Sequence, residues 1–142
     1  MRMCLTIAAL LLMGSTPILA EESDGIDVTL QVTGISDPAG EIFAGLYDTA
    51  GWSGDHFLSA AHVTVKGSDV TLHLKAPTPG EYAIRLFQDL KGTGKMAKNF
   101  LGIPTEPYAF SNNAKGSMGP PDFSAAAFEV TADGARQEVR LQ

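Results

Sequence analysis

Between Ile26 and Gly34 the chain alternates. "IDVTLQVTG" places Ile26, Val28, Leu30 and Val32 on one face and Asp27, Thr29, Gln31 and Thr33 on the other. A period of two predicts a half-buried strand. Turn residues follow in "SDPAGE". "EIFAGLYD", Glu41 to Asp48, is apolar on both faces, which predicts a central strand, and "TAGWSGDHF" reads as a loop. "AHVTVKGSDVTLHLK" has the pattern of a hairpin, with Gly67-Ser68 as a Gly-first two-residue turn. Counting outward from that turn pairs Lys66 with Asp69, Thr64 with Thr71 and His62 with His73, while Val63 and Val65 meet Leu72 and Val70 on the buried side.

Pro79-Gly80 then turns the chain into a strand with Tyr82, Ile84 and Leu86 on one face. "LKGTGKMAK" is a basic, flexible turn. Asn99 to Phe123, "NFLGIPTEPYAFSNNAKGSMGPPDF", holds four of the eight prolines and keeps no period. Two last strands, "AAAFEVTA" and "QEVRLQ", flank Asp133-Gly134. No stretch longer than about 10 residues keeps a helical period. About seven strands with turns between them predict an all-β fold, a single antiparallel, immunoglobulin-like β-sandwich. The long irregular loop precedes its last two strands. Loops of that length in compact domains are functional or disordered as a rule.

Composition changes the picture at the start of the chain. Met1-Arg2, the apolar run Ile7 to Met13 and "STPILA" before "EESDG" form a secretory signal peptide, residues 1–20, cleaved after Ala20. The run is too short to span a bilayer, which takes roughly 20 residues. The mature part, 21–142, is then one domain with no membrane span, and its location is periplasmic or secreted. Removing the leader takes Arg2 and the sole cysteine, Cys4, so disulfide and thiol chemistry are excluded from the mature domain. It also moves the net charge from −6 to −7. An acidic domain without a basic run points away from nucleic acid.

The stretches "GEIFAGLYD", "PGEYAIRLFQD" and "NFLGIPTEPYAFSNNAKGSMGPPDFSAAAF" resemble a bacterial exported family, domain of unknown function 2141. The resemblance runs from about Ile26 to Leu141, and the long segment is its most specific part. It implies a transthyretin-like sandwich and carries no activity with it. Family members commonly have an acidic, Asn- and Gly-rich turn resembling a calcium loop after the Phe-x-Asp of the central strand. Here the turn is "QDLKGTGKMAKN", with Asp89 its one acid beside Lys91, Lys95 and Lys98. Calcium needs several oxygen ligands, so the turn reads as solvated, and no cofactor is implied.

The candidate surface lies in the long segment: Asn99, Glu106, Ser111, Asn112 and Asn113 offer hydrogen bonds, and Phe100, Tyr108 and Phe110 offer anchors. Two readings stay open. The segment is a structural flap over a sheet edge, or it is a binding surface, in which case alanine at Tyr108 or Asn112 spares folding and weakens a partner. The inferred His62–His73 pair is the candidate metal site; it lacks a placed third ligand. Trp52 is a core plug or a stacking platform for a sugar. No nucleophile elbow or Gly-rich phosphate loop occurs. The sequence therefore points to a non-catalytic binding or interaction module with an unknown protein or small ligand of the cell envelope as partner. The alternative is a small-ligand binder for metal or carbohydrate, and the third reading is an enzyme whose site assembles only in space.

Overall fold

The computed structural model describes residues 25–54, 56–96, 105–116 and 119–142. The expected leader, and Asn99 and Phe100 of the candidate surface, lie outside the described residues. Among those residues, eight strands form two sheets: β1 (Ile26–Thr33), β2 (Glu41–Tyr47), β3 (Ser59–Thr64), β4 (Val70–Ala76), β5 (Gly80–Asp89), β6 (Tyr108–Phe110), β7 (Phe128–Val130) and β8 (Ala135–Arg140). One sheet has the order β4-β1-β8, the other β3-β2-β5-β6, with β7 also paired to β5. The all-β sandwich read from alternation is the fold observed, with eight strands in place of about seven.

Alternation fixed the inward faces. Val28, Leu30 and Val32 of β1 are fully buried against Ile42 and Leu46 of β2, Ile84 and Leu86 of β5, Leu74 of β4 and Val139 of β8. Each such side chain contributes about 1.5–3 kcal/mol when taken from water. β2 is central, between β3 and β5, as its two-sided apolar pattern requires.

The expected hairpin pairing does not form. β3 pairs with β2 (Phe43 opposite His62), and β4 pairs with β1 (Thr29 opposite His73). The Gly67-Ser68 turn thus carries the chain from one sheet to the other. Val65 and Leu72 still point inward, but across the sandwich instead of along one sheet. A corner that changes sheets satisfies the same buried faces as a hairpin. His62 and His73 therefore stand on outer faces of different sheets, and the inferred pair is replaced by two separate surface residues.

The second correction concerns the last strands. Thr131 and Gly134 make the tight turn at Asp133-Gly134, with Gly134 N donating to Thr131 O at 3.0 Å. Beyond it the strands part: β7 pairs with β5, and β8 runs parallel to β1. The sandwich is antiparallel apart from that β1–β8 ladder.

The segment after β6 laces the sheets together on the β6/β8 side. Tyr108 and Gln142 exchange backbone bonds of 3.3 and 3.0 Å. Asn113 Oδ1 accepts from Arg140 N at 2.8 Å, and Asn112 N donates to Gln137 Oε1 at 2.9 Å. Both asparagines are left-handed, with φ of 61° and 53°, a conformation Asn tolerates better than most residues. Ser111, fully buried, accepts from Ile84 N at 2.9 Å and donates to Ala126 O. Ser111→Ala leaves both groups buried without that partner. It should lower the unfolding free energy by about 1–3 kcal/mol in urea titrations followed by circular dichroism. An unchanged midpoint would show that the hydroxyl is not the clasp.

Candidate functional site

The outer face of the β3-β2-β5-β6 sheet is unusually aromatic, and register explains how. Phe43 stands opposite His62 on β3 and opposite Phe87 on β5, and Phe87 stands opposite Tyr108 on β6. One transverse row thus crosses four strands: His62, Phe43, Phe87, Tyr108. The rings of His62 and Phe43 are stacked at 5.2 Å with planes 22° apart, and those of Phe43 and Phe87 at 5.5 Å and 14°. These spacings approach the 4.7–4.9 Å between strands. The rings therefore stand upright and cover one another's faces, with edges outward. His62 is exposed, and its Nδ1 lies 2.6 Å from Glu41 Oε1. Phe43, Phe87 and Tyr108 are half-buried.

The other half of this face carries a second small core. Helix α1 (Thr49–Gly54) starts where Asp48 Oδ1 caps Gly51 N at 2.7 Å. A side chain at Gly51 would sit 2.1 Å from His56 O, so the turn needs glycine there. α1 and the short helix α2 (Phe123–Ala126) supply Trp52 and Ala126 to a cluster with Tyr47, Ala83 and Phe110. Trp52 Nε1 donates to Pro121 O at 2.9 Å. The Arg85 guanidinium lies 4.1 Å from the Trp52 ring and 4.8 Å from that of Tyr47, and its Nη2 donates to Trp52 O. Trp52 is a plug, as one reading had it, but of this outer core and not of the space between the sheets. Enclosed by Arg85, Tyr47, Phe110 and Phe123, its indole has no open face for a sugar. Phe57, at the rim beside Tyr47, is 58% exposed and Leu58 is 43% exposed.

The expected site residues divide. Ser111 and Phe110 are buried, and Asn112 and Asn113 hold backbone groups of the long segment and β8. Glu106 is buried, with Oε2 accepting from Leu90 N at 2.7 Å and Lys91 N at 3.1 Å. Only Tyr108 joins the aromatic row. Asn112 Nδ2 also donates to Ala127 O at 2.7 Å, so the expectation that Asn112→Ala spares folding gives way to a destabilised variant. Among the described residues no three His, Cys, Asp or Glu side chains cluster as metal ligands, and His62 and His73 are apart. Phe43, Phe87, Tyr47 and Arg85 escaped sequence reasoning. The signal available was the apolar outer face of "EIFAGLY", whose odd positions include both Phe43 and Tyr47.

The basic turn after β5 is held from within. Asp89 Oδ1 accepts from Gly92 N and Thr93 N at 2.9 and 3.2 Å, and Oδ2 from Gly94 N at 2.7 Å. With Glu106, two carboxylates gather five successive amides, so the turn is clamped where the sequence suggested simple solvation.

The signature of a family described as an uncharacterized protein conserved in bacteria, domain of unknown function 2141, matches residues 30–138, and the chain belongs to that family. No curated protein and no solved structure matches it. Among the described residues no helix is long and apolar enough to cross a membrane.

The clamp sets an acid dependence. The Gly94 amide, then those of Thr93, Gly92 and Lys91, hold the Asp89 carboxyl below the ordinary 3.8, against an opposing effect of burial. A lowered folded value contributes stability present above the unfolded value and lost as pH falls through the folded one. Asp89→Asn should be less stable than the parent at pH 7, and the gap should narrow as pH falls below the ordinary carboxyl value of 3.8. Thermal melts across that range check it; a constant gap would contradict the clamp. Asp27, lowered by its bond and charge contact with Lys75, is common to both proteins.

Proposed function

We propose that this family member is an exported, non-catalytic binding or interaction module of the bacterial cell envelope. Its binding face is the open aromatic half of the five-stranded sheet. The observation that carries the reading is the upright row His62, Phe43, Phe87. The stacked rings support the sheet as cross-strand pairs and leave their remaining exposed area on its outer face, which exposed Phe57 and Leu58 extend toward β3. Export rests on the leader-like pattern of residues 1–20. Kinship with transthyretin-like sandwiches rests on the resemblance of "PGEY" and its neighbours and is compatible with the two-sheet architecture.

The face suits a polypeptide better than a sugar. Sugars pack on open ring faces, and in this row the inner faces are occupied by neighbouring rings. A metal reading loses its residue pair, since His62 and His73 lie on different sheets.

Photo-crosslinking tests the proposal. A photoreactive phenylalanine placed at position 62, or at position 73 on the other sheet, is irradiated in intact cells. Discrete adducts are expected at 62 and none at 73. Adducts at both positions alike, or at neither, would contradict a binding face on the five-stranded sheet.

A further inference from the structure

The turn after β5, residues 90–95, is exposed throughout and gives no side chain to either core. Backbone bonds to two carboxylates order it. Asp89 takes the amides of Gly92, Thr93 and Gly94, and Glu106 takes those of Leu90 and Lys91. Gly92 and Gly94 are left-handed, with φ of 71° and 76°. Such reversals let successive amides converge on one acceptor.

The strand end before the turn is pinned separately. Gln88 is fully buried, and its Nε2 donates to Asp37 O and Ala39 O at 2.6 and 2.8 Å. Its backbone N–H donates to Pro107 O at 2.9 Å. A side chain at Gly40 would lie 2.1 Å from Asp89 O, so the loop ahead of β2 rests directly on the strand end. A freed turn can therefore open no further back than Asp89. A segment with little apolar burial opens at low cost, independently of the core.

The clamp depends on the charge of Asp89. An ionised carboxylate accepts hydrogen bonds roughly twice as strongly as a neutral group, and a protonated one turns an oxygen into a donor. Proton uptake thus weakens the Gly92, Thr93 and Gly94 bonds together. The charged groups around Asp89 are Glu41, opposite it on β2 and bonded to His62, Asp37 on the loop ahead of β2, Glu106, which shares the turn, and Lys91 and Lys95 of the turn itself.

We propose that the turn 90–95 is a conformational switch, clamped while Asp89 is ionised and opened as one unit when Asp89 takes a proton, with both sheets intact. The amides hold the Asp89 carboxyl below the ordinary 3.8 in the closed turn. The closed form is therefore favoured above that value and loses ground as pH falls through the lower one. The switch acts in acid, and it frees Lys91 and Lys95 near Phe87, the residue two before Asp89 on β5. It does not depend on the binding-face reading.

The test follows the 15N,13C-labelled chain by nuclear magnetic resonance from neutral pH to about one unit below 3.8. The Gly92, Thr93 and Gly94 amide signals should move together to disordered-peptide positions, and their order parameters should fall from about 0.85 to below about 0.6. The Asp89 carboxyl carbon should titrate with the same midpoint, while the Ile42 and Leu86 amides keep their positions. Turn amides that hold until the sheet amides fail with them would overturn the switch. So would an opening whose midpoint departs from that of the Asp89 carboxyl. In Asp89→Ala the turn should be open at neutral pH on folded sheets, and an ordered turn there would also overturn the proposal. If that variant does not fold, the acid titration of the parent decides alone.

Discussion

A sheet ends in a row of backbone N–H and C=O groups that must be paired, covered or hydrated, and a two-sheet sandwich has four such rows. Most of the irregular structure in this chain answers that demand. The 3-10 turn Ser111–Asn113 lies against β8 and presents asparagine amides to it. Ser111 takes the Ile84 N–H just where β6 has ended and no longer pairs with β5. The two carboxylates Asp89 and Glu106 gather the amides of the turn beyond β5. Of the polar residues of the long segment, which look from the sequence like a recognition surface, Ser111 and Glu106 are buried, and Asn112 and Asn113, though exposed, are engaged by backbone groups.

That requirement also explains the second core. Once the segment after β6 is tied to β8, α2 is held over the outer face of β5, and Trp52 on α1 meets Phe110 and Phe123 there. Arg85 sits over the rings of Trp52 and Tyr47, and its guanidinium satisfies the Trp52 carbonyl near the helix end. The roof stops short of Phe43 and Phe87. What remains beside it is a strip of half-buried stacked rings leading to exposed His62 on β3.

Much of the fold was legible because a buried face imposes a period of two. Val28, Leu30 and Val32, and likewise Tyr82, Ile84 and Leu86, could be assigned inward from the sequence alone. Partners could not. Gly67-Ser68 serves a hairpin and a sheet-to-sheet corner equally, since both put Val65 and Leu72 inside, and alternation carries no information on which neighbour a strand adopts. The parallel β1–β8 ladder was hidden for the same reason, behind a turn at Asp133-Gly134 that formed as expected. The aromatic row is a product of register: Phe43 and Phe87 are 44 positions apart and meet only through the β2–β5 ladder. Side chains in the long segment were legible as polar, but not as already engaged by the chain's own backbone.

Amide hydrogen exchange along β3, in the protein without any ligand, tests the β2–β3 pairing that aligns the aromatic row most directly. The account predicts alternation within the strand: slow exchange at Ala61 and Val63, whose amides bond β2, and fast exchange at Ala60, His62 and Thr64. Slow exchange at Ala60, His62 and Thr64 with fast exchange at Ala61 and Val63 would contradict it, since β3 would then meet β2 by its other edge and His62 would leave the row.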